Sequence, residues 1–490
     1  MSAKREQPLG KATAKSPRLS ERCGRDARGP SAEVESDSTR LRFGLRLTTA
    51  FCKTYAPFPD CMETDDQQTN AAATILSGDV EATPKTSRAA SLLASAKALS
   101  RRGLLANRSV RSALFAFTLS RFMVLAIFVL VGLMKTQPDE FPGHFDLHVS
   151  LDRAPIARVL RQQVLTADVN WYVGIAEHGY EQIPFNNDVP RNWAFFPLFP
   201  LLLHLSSHVT GEFVLTGMAL SHVCFLLALF LLHRVSLLFG LSADDADSGL
   251  FYLAFFPTSY FFSIPLPESL FLMLTVASFY FAKSERWWLA GLCGAFASAT
   301  RTTGVLLFPA LAVLYWEMYR PLPNLRSFRK DALALLLVPA GLLSYMTYLH
   351  FVTGNALAFK GAMAAWGRKA GFFFSPLLEY LSHPGEVAAH WDFRLWNFLA
   401  VVLALTCGVI LIKRLQFALG TYALLAVLVA LSSALLQSQA RYAMVVFPVY
   451  LVLGTLGRFR NIDQSLRVVF VVLFALLTAL FAAHFTVALS

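Results

Sequence analysis

Residues 113–134 read ALFAFTLSRFMVLAIFVLVGLM, 22 residues with a single charge, Arg121. About 20 consecutive apolar residues are enough to cross the hydrocarbon core of a bilayer. Lipid offers no partner for an open backbone, so such a run has to be helical. Further apolar runs follow near 194–209, 213–239, 248–264, 267–282, 288–300, 303–319, 332–353, 394–412, 416–434, 440–457 and 467–488. Composition agrees: 55% of the 490 residues are hydrophobic, 13% aromatic and only 15% charged. Soluble domains carry about a quarter charged residues. The expected fold is therefore all-α, a polytopic membrane protein of about 11–13 transmembrane helices.

Charge is uneven along the chain. Residues 1–111 hold 19 Lys/Arg and 12 Asp/Glu, a net of +7 within a total of +11. This segment lacks periodicity and is rich in Ser, Thr, Ala and Arg, which reads as a disordered tail. Within it, SRAASLLASAKALSRRGLL (87–105) has the makings of an amphipathic helix on an anionic leaflet. Basic residues flanking a first span mark the cytoplasmic side. That is a better reading of the tail than nucleic-acid binding, and no nucleic-acid partner is expected. By the same rule the loops at 283–288, 319–330, 413–414 and 457–467 are cytoplasmic. The segments 135–192, 264–268 and 354–393, together with Arg301, then face the other side. One conflict stands. Counting both 194–209 and 213–239 as crossings contradicts the same-side placement of 135–192 and 264–268, and the short, Pro-broken 194–209 invites a re-entrant reading. RAPIARVLRQQVL (153–165) has helical spacing and reads as an interfacial helix.

The outer segment TADVNWYVGIAEHGY (166–180) places Asp168 ahead of Trp171, Tyr172 and His178. A plain anchor has no use for such a cluster, and Asp168 is the candidate catalytic base at the membrane surface. Arg121 sits inside a span, where a charge costs about 2.5–3.5 kcal/mol on insertion scales and requires a partner or polar cavity. It is a candidate anion site. Glu268 opens a helix in PLPESLF, where a first-turn carboxylate also serves as a cap. Arg301, Trp366, Arg368 and Arg441 lie on the same outer side. Arginines suit phosphate because they bind it bidentately, so these residues together suggest a polar pocket for an anionic lipid. The six cysteines, at 23, 52, 61, 224, 293 and 407, show no metal-ligand spacing. No Walker loop, GxGxxG or Ser-His-Asp signature is present. No cofactor is expected, and no ligand cluster points to a metal.

The chain resembles the PIG-V-type mannosyltransferases. The segments that carry the resemblance are ADVNWYVGIAEHGY, NWAFFPLFPLLL, FFPTSYFFSIPLPESLFL, ERWWLAGLCGAFASATRTTG, GNALAFKGAMAAWGR and QARYAMVVFPVYLVL, in order across about 166–455, with LSRF upstream. The chain departs from the family pattern at three positions: Ala167 replaces the Trp before the acid, Pro267 replaces the Thr before Glu268, and Met363 stands where Gln is usual. The resemblance implies a C-type glycosyltransferase with a non-cytoplasmic active site. It also implies a polyprenyl-phosphate-sugar donor, typically mannose, a glycolipid or other hydroxyl acceptor, and an acid in the first outer loop at the position of Asp168. A lipid-sugar flippase and the same fold with another sugar are the alternatives. The Ala- and Arg-rich tail favours a bacterial plasma membrane over the endoplasmic reticulum.

Overall fold

A computed structural model describes residues 107–134, 155–165, 167–320, 329–388, 392–414 and 416–485. All fall within one compact unit, Thr86–Ser490. The expected disordered tail up to residue 106, the amphipathic segment 87–105, and the early part of the first outer loop (135–154) lie outside the described residues.

The fold is all-α, with no strand among the described residues. The α-helices are α1 (Arg108–Met134), α2 (Pro155–Val164), α3 (Ala167–His178), α4 (Leu198–Thr210), α5 (Phe213–Leu238) and α6 (Ala243–Ala254). There follow α7 (Glu268–Lys283), α8 (Trp287–Thr300), α9 (Leu307–Tyr319), α10 (Ala340–Thr353), α11 (Ala358–Ala362) and α12 (Ser375–Ser382). The chain closes with α13 (Arg394–Lys413), α14 (Phe417–Leu431), α15 (Gln439–Met444), α16 (Pro448–Gly454) and α17 (Arg460–Ala482). Short 3₁₀ turns, among them Ser259–Ser263 and Thr302–Leu306, join several of these.

Among the described residues, four helices are long and apolar enough to cross a membrane: Arg108–Gly132, Phe213–Leu238, Arg394–Lys413 and Arg460–Ala482. A fifth candidate is a bent pair, Lys330–Leu337 with Ala340–Thr353, at 41°. The other apolar runs fold as shorter helices interrupted by Pro and Gly. Among the described residues, full-length spans are thus fewer than the apolar runs in the sequence. The chain is an integral membrane protein.

The helix ends sort into two polar layers. In one, Arg108 of α1 pairs with Asp244 and Asp247 of α6, and Arg458 pairs with Asp245. Asp463 accepts from Tyr252 at 2.7 Å, and Lys283 lies over Phe239 at 5.3 Å. Glu317 accepts from the Ala418 amide at 3.3 Å, and Arg329 lies over Tyr319 at 4.7 Å. This layer gathers the segments whose Lys/Arg content reads as cytoplasmic. The helix α17 begins seven residues before the apolar run at 467, because Asp463 and Arg467 have polar partners on α6.

The opposite layer holds the starts of α3, α7 and α15 and the end of α8. It also resolves the topological conflict. α4 starts beside α3, where Phe199 meets Tyr172 at 5.7 Å, and ends beside the first turn of α5, where Thr210 meets Thr216 at 2.5 Å. Ser221 of α5 donates to the Ile264 carbonyl at 2.8 Å, so this part of α5 lies at the level of the chain entering α7. The helix α4 therefore stays in this layer and is not a crossing.

Close helix approach depends on glycine at a few points. A Cβ on Gly341 would lie 2.0 Å from the Ala295 carbonyl oxygen, so α10 packs backbone to backbone on α8. Small residues at such contacts are the usual device of membrane helix packing, where dispersion replaces the hydrophobic effect.

Candidate active site

Asp168 lies in the first turn of α3, with Trp171 and Tyr172 on the same face, one helical turn on. The segment 167–178 is a packed helix rather than a loose loop, since Val169, Tyr172, Val173, Ile175 and Ala176 are buried. Asp168 is the group at its open edge. Its Oδ2 accepts from a terminal nitrogen of Arg441. Arg441 also donates through Nε to Glu268 Oε1 at 2.6 Å, and Arg301 donates to that same oxygen at 2.7 Å. The result is one chain of alternating charge: Asp168, Arg441, Glu268, Arg301.

Burial grades along this chain. The Glu268 side chain is 0% exposed, Arg441 7%, Arg301 16% and Asp168 40%. Glu268 and Arg441 are both buried, and each is a hydrogen-bond partner of the other. Glu268 does not cap its helix, since its side chain reaches sideways to the two arginines. Its Oε2 is buried and lacks a hydrogen-bond partner.

Aromatic rings frame the charges. Phe261 lies 4.8 Å from the Arg441 guanidinium. Tyr442 is shared, 4.9 Å from Arg301 and 5.6 Å from Arg368. Trp171 stacks on Phe195 at 5.6 Å, and Trp366 meets the edges of both at 6.0 and 5.9 Å. The segment carrying Trp366 and Arg368 thus touches both the Asp168 helix and the Arg441 helix. Such ring faces suit sugar rings, and Arg368, whose polar contact is a 3.4 Å bond to Ser433, suits an anion.

Two expected members fall elsewhere. Arg121 is buried, but its donors go to protein oxygens: Ser259 O at 2.7 Å, Ser263 Oγ at 2.8 Å, Ser259 Oγ at 2.8 Å, Ala254 O at 3.0 Å and Ser120 Oγ at 3.2 Å. The structure gives it these partners in place of the anion expected from sequence. It anchors the turn whose Phe261 lies under Arg441. Arg121→Lys should lower thermal stability in detergent, since about 1.5–3 kcal/mol goes with each charged hydrogen bond lost. Donor KM should stay within about twofold if anchoring is the role, whereas an anion site would raise it by about tenfold or more. His178 stands at the far end of α3 from Asp168, about 15 Å along the axis at 1.5 Å per residue. It is exposed, with its ring 3.8 Å from the Glu177 carboxylate, and at that separation it cannot share a ligand atom with Asp168. Nearby, Trp193 is fully buried and donates to the Glu181 carbonyl at 2.9 Å, which makes it a core residue.

Sequence reading passed over other residues. Gln439 donates to the Ala430 and Leu435 carbonyls at 3.1 and 3.0 Å, closing the turn between α14 and α15. Ser438 and Ala434 in that turn have positive φ, 64° and 56°, a conformation that side chains other than glycine rarely adopt. Asn397 and Asp392 are buried nearby. The polar residues within LSSALLQSQARYAM were the available signal. Among the described residues, no group of three or more His, Cys, Asp or Glu is arranged to hold a metal.

Known proteins bear on this arrangement. A family described as Mannosyltransferase (PIG-V) matches residues 114–368, which include Asp168, Glu268, Arg301, Trp366 and Arg368. A GPI alpha-1,6-mannosyltransferase 2 from Cricetulus griseus is 26% identical over 208 residues, 38% of this chain and 40% of that protein. The chain thus matches two-fifths of the length of this curated relative. The apo oligosaccharyltransferase of Archaeoglobus fulgidus covers 75% of this chain and 55% of its own at 12% identity, with a TM-score of 0.37. The same organism's AglB, in complex with an inhibitory peptide and a dolichol-phosphate, covers the same shares at 13% identity and 0.35. Similarity this loose bears on neither activity nor ligand. The match over more than half the chain is different in kind: the chain belongs to the PIG-V mannosyltransferase family.

Proposed function

We propose that the protein transfers a sugar, mannose by its family, from a polyprenyl phosphate to an acceptor hydroxyl on the non-cytoplasmic face. The fold would be of the C type. The observation that carries this reading is the hydrogen bond from Arg441 to Asp168, which ties a half-exposed carboxylate to the buried pair of Glu268 and Arg301. The two polar layers support this choice of face, since the site lies opposite the layer of basic loops.

The chemistry balances. The acceptor oxygen attacks the anomeric carbon, the bond from that carbon to the phosphate oxygen breaks, and the phosphate leaves with the electron pair. Asp168 takes the hydroxyl proton, and a single displacement inverts the anomeric centre. In the resting site the charges of Arg441 and Arg301 are balanced by Asp168 and Glu268. Protonating Asp168 removes one negative charge and leaves Arg441 undercompensated as the phosphate gains charge. Preorganised electrostatics of this kind is commonly the largest catalytic term.

Arg368 has no carboxylate hydrogen-bonded to it among the described residues and is the proposed cation for the donor phosphate. Trp171, Phe195 and Trp366 form the proposed sugar platform, and Tyr172 braces Phe195 at 5.2 Å. Arg368→Gln should raise donor KM about 10- to 100-fold, the worth of about 1.5–3 kcal/mol from a charged hydrogen bond. The assay uses purified protein in vesicles with labelled polyprenyl-phosphate-mannose, and lipid extract from cells lacking the protein as acceptor. Label moving into a new glycolipid supports the reading. Donor crossing the bilayer with no transfer would replace it with a flippase.

A further inference from the structure

The helix α15, which presents Arg441, is short, and an outside contact fixes where it begins. Asn397, in the first turn of α13, accepts the Ala440 backbone N–H at 2.6 Å through Oδ1. Its amide nitrogen donates to Asp392 Oδ1, and more weakly to the Phe393 carbonyl at 3.3 Å. Both side chains are buried, with Asp392 5% and Asn397 2% exposed. An amide left to itself can flip; one whose nitrogen is claimed by a carboxylate presents its oxygen in one direction only. Ala440 precedes Arg441, so Asn397 fixes the backbone one residue before the side chain that holds both Asp168 and Glu268.

We propose that Asp392 and Asn397 are positioning residues for the transfer reaction. Asp392 orients Asn397, and Asn397 sets the register of α15 so that Arg441 meets both carboxylates. Asp392 ends the outer segment that also carries Trp366 and Arg368, so donor-facing and base-facing parts are locked to one another through this pair. The inference rests on the reading of Asp168, Arg441 and Glu268 as the active centre.

The charged groups that face Asp392 are Arg368 from the outer segment and Arg394, the first residue of α13, the latter paired with Glu386. Burial outweighs them and pushes the Asp392 carboxyl up to about 6. Above that pH the carboxylate accepts strongly from Asn397. Below it the neutral acid accepts weakly and the orientation loosens. Wild-type kcat should therefore fall several-fold as the pH drops through 6, while donor KM moves by less than about threefold.

The test measures kcat and KM between pH 5 and 8 with labelled polyprenyl-phosphate-mannose and the lipid-extract acceptor. D392N imitates the neutral acid. It should show the low-pH kcat of the wild type at every pH, without the inflection near 6. Asn397→Leu should lower kcat at least tenfold. Wild-type kcat that is flat through pH 6, or D392N that keeps both the wild-type kcat and the inflection, would overturn the proposal, and the wild-type profile requires no variant to fold. Arg441→Lys serves as the control. If it transfers normally, the reading of the active centre fails and this inference falls with it; a flat wild-type profile with an impaired R441K overturns this inference alone.

Discussion

Asp168→Asn should lower sugar transfer by about 10²–10⁴-fold, the usual worth of a positioned general base. The amide has the shape of the carboxylate and accepts from Arg441, but it cannot take a proton from the acceptor hydroxyl. It also leaves Arg441 positively charged in the resting site, which removes the change in charge that would accompany departure of the phosphate. The protein should still fold, because the side chain is 40% exposed and Arg441 keeps its bond to Glu268. Expression, detergent-extracted melting and turnover are measured side by side. A folded D168N that turns over within about tenfold of wild type would remove Asp168 from the role of base.

Replacing Glu268 should have the largest effect on stability. Its side chain is 0% exposed and one oxygen serves two arginines. Glu268→Ala would leave Arg441 and Arg301 facing each other with one shared partner gone. Breaking a buried pair in this way costs about 3–5 kcal/mol, because the surviving charge has no solvent to stabilise it. Glu268→Gln keeps the volume and should cost less stability, while still losing most turnover because Arg441 is then free to close on Asp168 alone. An unchanged melting midpoint for E268Q together with a kcat within twofold of wild type would show that Glu268 merely fills space.

Combined with Asp168→Asn, Glu268→Gln should be strongly non-additive, since both act through Arg441. Residues sharing one network commonly show such coupling.

Much of this was legible in the sequence. The apolar runs required helices, the basic loops sorted to one end, and RAPIARVLRQQVL formed α2 within its expected limits. Asp168, Glu268, Arg301 and Arg441 stood out as charges beside long apolar segments, and the structure brings all four into contact. Local pattern misled where two sites look alike in one dimension. Arg121 and Arg441 are both arginines in apolar surroundings, but one is satisfied by carbonyls and hydroxyls and the other by carboxylates. His178 is ten residues from Asp168, which looks near in sequence and is an entire helix away in space. The run at 194–209 has the composition of a span, but both its ends pack in one layer.

Sequence alone determined that the backbone is helical and which residues are charged, because lipid leaves the peptide group no partner except its own helix. Only the tertiary structure decided which charges meet. Asp168 and Arg441 are 273 positions apart, and their contact depends on how α3, α7, α8 and α15 end at one level of the bundle. Local propensity carries no information about such long-range registration, which packing of small residues and the Asn397 and Gln439 contacts supply.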